Sequence, residues 1–217
     1  MMPSLIAPSI LGADLLRLSD ELDALRYGNA DLVNFDVMDG KFVPEISFGE
    51  VLLRKVRQKT AIPLDVHLMI ERPEENLDSF IQAGADRITV HLEATGKLDQ
   101  ILTRLDYADT MAGLSICPET PVEAVYPYLE RIGSVLLMTV HPGFGGQHFM
   151  ESSIERIRTL RQAIEERRLP VRIAVDGGIR MDTAVRCREA GADTFVCGTF
   201  VFTDDRVEKL KQLRSVL

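Results

Sequence analysis

Eight short apolar segments alternate with helix-forming segments along the 217 residues of this chain. The segments are almost continuously hydrophobic, which is typical of parallel strands buried on both faces. They cover residues 5–10, 32–37, 63–69, 87–91, 111–117, 134–140, 171–176 and 194–198. Alternation alone also permits an open doubly wound sheet, but eight units in a chain of this length favour a closed barrel. We therefore predict an α/β fold, a single small TIM (β/α)8 barrel over residues 1–217.

Two of the intervening helices have clear start signals. Asp14 is a suitable N-cap for a helix that continues to about Arg26, with leucines 15, 16, 18, 22 and 25 roughly on one face. Pro73 is well placed to open the third helix, which we expect to stop at Gly84.

Charge and composition exclude several classes of protein. The formal net charge is −8 and no block of Lys and Arg occurs, which argues against a nucleic-acid-binding surface. The N-terminus lacks the basic region of a signal peptide, and no apolar run approaches membrane-spanning length. Cys117, Cys187 and Cys197 are scattered and have no metal-ligand spacing. We expect a cytoplasmic protein with neither a nucleic-acid nor a membrane partner.

Polar side chains stand near the carboxyl ends of predicted strands, where barrels of this kind carry their chemistry. Asn34 and Asp36 are two residues apart, so both emerge on the same face of the second strand. His67 belongs to the third strand and Asp176 ends the seventh. Two carboxylates and an imidazole converging on one barrel mouth predict a divalent metal site. Taken singly, each also has a purely structural interpretation, as a turn-capping aspartate or a satisfied barrel histidine.

Glycines follow the last three predicted strands, and we interpret them as a phosphate-binding rim. The loops after strands seven and eight form the usual phosphate site of this fold, where backbone N–H groups face the anion. The residues concerned are Gly143, Gly145 and Gly146 after strand six, Gly177 and Gly178 after strand seven, and Gly198 with Thr199 after strand eight. Glycines are also plain turn residues, so each loop alone is a weak signal.

Three methionines, Met38, Met69 and Met138, lie near strand carboxyl ends. Methionine at such positions is more often core filler. Together they are also able to form a soft, dry wall beside a reacting centre.

Six segments together resemble the ribulose-phosphate 3-epimerase family. They are APSIL at 7–11, DVMDG at 36–40, DVHLM at 65–69, HLEAT at 91–95, PGFGGQ at 142–147 and VDGG at 175–178, in the family's order over essentially the whole chain. The resemblance implies an isomerase of carbohydrate metabolism that interconverts ribulose 5-phosphate and xylulose 5-phosphate at C3 through an enediolate. It also implies one divalent metal ion (Zn, Mn, Fe or Co), a small phosphorylated ketose as substrate and a homo-oligomer.

The resemblance assigns roles to particular residues. Asp36 and Asp176 would be the acid/base pair and metal ligands, with His67 as a further ligand and Ser9 in contact with the substrate. The methionines would line the enediolate. The phosphate would be held by Gly145, Gly146, Gly177, Gly178, Gly198 and Thr199.

Asn34 departs from the family pattern, which has histidine two residues before the strand-two aspartate. An amide oxygen binds a borderline cation such as zinc less well than imidazole does, so both metal identity and metal dependence stay open. His141, just after strand six, is a second histidine that could compensate, although a loop histidine is more often solvated.

Alternatives remain at this point. Residues 118–124 and Gly198-Thr199 look more like the allulose-6-phosphate branch of the superfamily. A decarboxylase of the orotidine-phosphate type requires Asp-x-Lys on strand two, but Met38 stands where that lysine belongs. A sugar-phosphate binder without activity is the third possibility, because Asn34 weakens the expected metal ligation.

Overall fold

A computed structural model describes residues 2–217 and contains eight parallel strands in one sheet. The strands are β1 (Leu5–Pro8), β2 (Val33–Met38), β3 (Leu64–Met69), β4 (Arg87–His91), β5 (Met111–Ile116), β6 (Ser134–Met138), β7 (Arg172–Asp176) and β8 (Thr194–Cys197). Their order in the sheet is β1-β8-β7-β6-β5-β4-β3-β2.

The sheet closes where β1 meets β2. Ser9 and Asn34 form a parallel bridge across this seam. The backbone N–H groups of Asp31 and Leu32 donate to the carbonyl of Ile6 at 3.0 and 3.3 Å. The predicted (β/α)8 barrel is therefore confirmed.

Helices surround the barrel. They are α1 (Leu18–Tyr27), α2 (Glu50–Lys59), α3 (Leu77–Gln82), α4 (Leu98–Tyr107), α5 (Ser153–Glu166), α6 (Met181–Ala190), α7 (Thr199–Phe202) and α8 (Arg206–Val216), with a 3-10 helix at Val122–Arg131. None of the helices in residues 2–217 is both long and apolar enough to cross a membrane.

The first helix begins later than predicted. Asp14 does act as a cap, but of a 3-10 turn (Leu15–Arg17), and its side chain accepts from the N–H of Leu16 at 3.0 Å. Leu15 and Leu16 are 47% and 97% exposed, so the expectation that they share one helix face with the buried Leu22 and Leu25 was wrong. Pro73 likewise opens a 3-10 turn before α3.

Strand alternation decides which side chains reach the site. On β2, Val33, Phe35 and Val37 pack in the hydrophobic layer between sheet and helices. The intervening Asn34 and Asp36 therefore point into the barrel. Both are buried, at 1% and 3% exposure, so a sequence pattern of period two delivers an amide and a carboxylate to the barrel axis.

Candidate active site

Asp36 is held by hydrogen bonds at both carboxylate oxygens. Its Oδ2 accepts from the Ser9 hydroxyl and, at 2.8 Å, from the Asn34 amide nitrogen. Its Oδ1 lies 3.0 Å from Nδ1 of His67. The Ser9–Asn34 bridge at the seam brings these two donors to the same oxygen. The arrangement leaves Oδ1 as the oxygen that faces the other site residues.

Asp36, His67 and Asp176 form a compact group of possible metal ligands. One donor atom from each lies within 4.8 Å of the other two. The His67 Nδ1 atom is 3.0 Å from Asp36 Oδ1 and 3.9 Å from Asp176 Oδ2. Donor atoms around one divalent ion lie roughly 3–4 Å apart, so this geometry fits such an ion. A set of one nitrogen and two oxygens suits zinc, iron, cobalt or manganese.

The two carboxyl groups have opposite pKa shifts. Burial alone would raise the pKa of Asp36, but the hydrogen bonds from His67, Ser9 and Asn34 lower it below the ordinary range. Burial, with the charge of Asp36 beside it, raises the pKa of Asp176 to about 7. Burial opposes a charge on His67, but the adjacent Asp36 raises its pKa. In the metal-free site Asp36 is therefore ionised, and Asp176 holds its proton to a higher pH than a free aspartate does.

Asn34 and His67 both line a small internal space rather than the open cavity. Asp65, Arg87 and Thr89 line the same space. Its amide nitrogen faces Asp36, and an N–H donor cannot ligate a cation. Ligation by Asn34 would need the amide turned over, so the metal-ligand role stays a prediction.

His141 lines the cavity but does not belong to the group of possible ligand atoms formed by Asp36, His67 and Asp176. Its Nδ1 atom is 3.2 Å from Glu119 Oε1, and both side chains are more than half exposed. The contact explains its position at the rim without any role as a ligand. The structure thus gives no support to the idea that His141 compensates for Asn34.

A cavity of about 550 Å³ opens above Asp36 and Asp176. All three methionines line it and are buried, with exposures of 5% or less. Every other predicted substrate-binding residue also lines it, namely Ser9, Gly145, Gly146, Gly177, Gly178, Gly198 and Thr199. The structure therefore brings the predicted substrate residues together around one space.

Two of these glycines are required by the backbone. Gly177 and Gly178 have φ of +117° and +65°, a region that L side chains rarely adopt. A Cβ on Gly177 would lie 2.4 Å from the Val140 side chain, and one on Gly178 would lie 2.6 Å from the Phe149 backbone nitrogen. The turn after β7 therefore needs glycine to approach its neighbours closely.

A second polar group adjoins the site and was not predicted from the sequence. His91 Nε2 lies 2.9 Å from His67 Nε2, and His91 Nδ1 lies 3.4 Å from Glu93 Oε2. Burial lowers the pKa of His91 to about 4. Burial opposes the charge on Glu93, but hydrogen bonds from His91, Thr120 and the Cys117 backbone lower its pKa to about 2. The sequence feature that could have revealed this group is a histidine at the end of β4 followed two residues later by a glutamate.

Comparison with known proteins identifies the family. Residues 5–202 match the model of the ribulose-phosphate 3 epimerase family. The chain belongs to this family. A ribulose-phosphate 3-epimerase of Chlamydia trachomatis is 42% identical over 205 residues, covering 94% of this chain and 88% of that protein. One from Bacillus subtilis is 40% identical over 212 residues, covering 97% and 98%.

Solved structures show the same fold in more distant proteins. A 3-hexulose-6-phosphate synthase superposes with a TM-score of 0.71 at 17% identity, covering 98% of this chain and 99% of that one. A tryptophan synthase subunit of Pyrococcus furiosus gives 0.72 at 15% identity, covering 98% of each. These matches show that the barrel fold is shared. They do not show the chemistry of this chain, which follows from the residues of its own site.

Proposed function

We propose that this chain interconverts ribulose 5-phosphate and xylulose 5-phosphate by moving a proton at C3. The observation that carries the proposal is the convergence of Asp36 and Asp176 at the floor of the cavity. Donor oxygens of both lie within 4.8 Å of each other and of the same His67 ring nitrogen. Membership of the family supports the choice of reaction and substrate.

Epimerisation beside a ketone needs one base and one acid. An ionised carboxylate takes the proton from C3, and a protonated carboxyl group returns one to the opposite face. Asp36 and Asp176 are the two carboxyl groups placed to do this, and in the metal-free site the pKa of Asp36 is lowered while that of Asp176 is raised. After one turnover the two groups have exchanged roles, so the reverse reaction uses the same pair.

Asp36, His67 and Asp176 would hold the divalent cation. Bound there, the cation supplies positive charge that stabilises the enediolate. Ser9 and Asn34 hold one oxygen of Asp36, which fixes the direction of the other. The three methionines exclude water around the reacting carbon and strengthen the local electrostatics.

The glycine loops would hold the substrate phosphate. A phosphate needs closely approaching backbone N–H groups, and glycines leave room for that approach. Gly145 and Gly146 lie near Thr199, whose hydroxyl would be 3.8 and 4.0 Å from a Cβ on each. The loops after β6 and β8 therefore meet on one side of the cavity.

Deuterium incorporation tests the reaction directly. Incubated in D2O with ribulose 5-phosphate, the protein should produce xylulose 5-phosphate carrying deuterium at C3, which NMR detects. Asp176→Asn keeps the shape but removes a base, so turnover should fall roughly 10²–10⁴-fold. Asp182→Asn is the matched control, because Asp182 is exposed and pairs with Arg180 at the surface.

Two results would contradict the proposal. One is an absence of label in ribulose 5-phosphate with Zn, Mn, Fe or Co added, which would favour a sugar-phosphate binder. The other is turnover of Asp176→Asn within about twofold of the parent. Label in allulose 6-phosphate alone would keep the chemistry but change the substrate. A homo-oligomeric state and a cytoplasmic location stay predictions from the sequence.

A further inference from the structure

We propose that Glu93 and His91 are positioning residues that fix the tautomer of His67, so that its Nδ1 lone pair faces the metal site. The inference rests on the proposed metal site. Four groups lie in a row that runs from β2 across β3 to the carboxyl end of β4. They are Asp36, His67, His91 and Glu93, with successive separations of 3.0, 2.9 and 3.4 Å.

Hydrogen-bond direction links the two histidines. Two Nε2 atoms 2.9 Å apart share one proton, so one ring donates and the other accepts. If His67 donates from Nε2, its Nδ1 is the nitrogen left for a cation, which replaces the proton that Asp36 Oδ1, 3.0 Å away, accepts from this nitrogen in the metal-free protein. If His91 donates, neutral His67 carries its proton on Nδ1, and that nitrogen cannot bind metal.

Glu93 decides between these two arrangements. Its ionised carboxylate is an acceptor only, so the Nδ1 atom of His91 that faces it is favoured as N–H. His91 Nε2 then carries the lone pair and accepts from His67. The weak thiol donor of Cys117, 3.7 Å from His91 Nδ1, competes poorly with a carboxylate.

The other oxygen of Glu93 is already fixed. Glu93 Oε1 accepts from the Cys117 backbone N–H at 2.8 Å and from the Thr120 hydroxyl. These two donors orient the carboxylate so that Oε2 faces His91. His91 itself is fully buried and packs against the Phe42 ring at 4.8 Å between centroids. Both Glu93 and His91 are thus fixed in position.

His91, Glu93 and Cys117 also have the composition of a zinc site. A cation on His91 Nδ1 would require the reverse tautomers and would put the proton on His67 Nδ1. Arg156 also donates to the carbonyls of Cys117 and Thr120, which places a positive charge beside the group. The structure therefore favours a hydrogen-bonded row over a second ion.

Glu93→Gln is the decisive variant. The amide oxygen should take the place of Oε1, where two donors meet it, and the NH2 group should then face His91 Nδ1. This reverses both tautomers with almost no change of shape. We expect zinc and manganese to bind about 10–100-fold more weakly, the range for losing a hydrogen-bond partner of a metal ligand. Chelator competition measures the affinity.

Nitrogen-15 NMR of metal-free protein gives a readout that a structural role would not move. In the parent, His67 Nε2 and His91 Nδ1 should be protonated; in Glu93→Gln, His67 Nε2 should become unprotonated. Cys117→Ala is the control, because it removes only the thiol and leaves both donors to Glu93 Oε1 in place. This variant should keep metal affinity within about twofold of the parent.

Three outcomes would overturn the proposal: an unprotonated His67 Nε2 in the parent, unchanged metal affinity in Glu93→Gln, or a second bound ion that Cys117→Ala abolishes. A parent that shows the expected tautomers but binds no metal would instead contradict the proposed cofactor. The NMR measurement therefore separates the two hypotheses.

Discussion

Asn34 stands where the family pattern has histidine, and its contacts suggest why the site tolerates it. Its amide donates to Asp36 at 2.8 Å, on the oxygen that Ser9 also reaches. The amide thus replaces a possible ligand with a hydrogen bond that keeps Asp36 ionised and oriented. A site built this way keeps three donors and should hold its ion less tightly than one with four.

Asn34→His should tighten zinc binding, because imidazole nitrogen is a better donor to zinc than an amide. Calorimetry after chelator stripping measures the affinity of both proteins. Asn34→Ala is the matched control, since it removes the hydrogen bond to Asp36 without adding a ligand. Equal zinc affinity in the parent and Asn34→His would show that the side chain at position 34 does not ligate the ion.

Asp176 should make the stability of the metal-free protein depend on pH. Burial and the charge of Asp36 raise its pKa from 3.8 to about 7, so the folded state binds this proton more tightly than the unfolded state. The resulting stabilisation is complete below pH 4 and is lost as the pH rises through about 7.

Asp176→Asn has no such proton. Relative to this variant, the parent should therefore lose on the order of 1–4 kcal/mol of unfolding free energy between pH 4 and pH 8. Urea titrations of both proteins in a metal chelator measure this difference. Parallel stability curves across that range would show that Asp176 ionises as easily in the folded protein as in the unfolded chain.

The loops that follow the strands combine backbone strain with function. Gly178 has φ of +65° in the turn after β7, and it meets Phe149 across the cavity rim. A non-glycine residue in this region costs about 1–3 kcal/mol. In the turn after β7, glycine is thus required both by the backbone conformation and by the lack of space at the rim of the cavity.

Gly178→Ala should destabilise the protein by about 1–3 kcal/mol and raise the KM for the sugar phosphate, because the added methyl displaces the Phe149 backbone. Gly49→Ala is the control: Gly49 has φ of −131° and nothing within 4 Å of a Cβ. That variant should stay within about 0.5 kcal/mol. Urea unfolding and steady-state kinetics measure both effects, and equal stability of the two variants would contradict the strain argument.

The strands were predictable because burial on both faces leaves a continuous apolar run, and β4 (Arg87–His91) was placed without error. Helix starts were less predictable. Asp14 caps a 3-10 turn at Leu15–Arg17 instead of the helix itself, and none of the residues of this turn is buried. Site residues at strand ends were found from periodicity and resemblance. Glu93 was missed, because its partner His91 lies on the same strand end while its other contacts come from the next loop.

The barrel closes at the seam between β1 and β2. Asp31 supports this seam, since its Oδ2 accepts from the Ile6 N–H at 2.7 Å and pairs with Arg214 of α8 at 2.6 Å. One carboxylate therefore joins the first strand to the last helix. Its side chain is 29% exposed, so the interaction is partly protected from solvent.

Asp31→Ala should lower the unfolding free energy by about 1–3 kcal/mol, because the Ile6 N–H loses a charged acceptor. Asp20→Ala is the control, since Asp20 pairs with Arg17 in an exposed contact that is worth at most about 0.5 kcal/mol. Urea denaturation measures both. An equal loss of unfolding free energy in the two variants would show that Asp31 contributes no more than an exposed ion pair does.

The order of the strands in the barrel also affects how a newly synthesised chain folds. Leu5 of β1 pairs with Thr194 of β8, so one edge of β1 stays unpaired until the other seven strands of the barrel have been made. Pairing over such a distance is slow, and the waiting edge is open to wrong partners. Asp36 and Asp176 reach each other only when this long circuit is complete. We therefore expect newly made chains to acquire their two carboxylates as a working pair only after β8 has been made, and nascent chains stalled before β8 to be protease-sensitive and inactive.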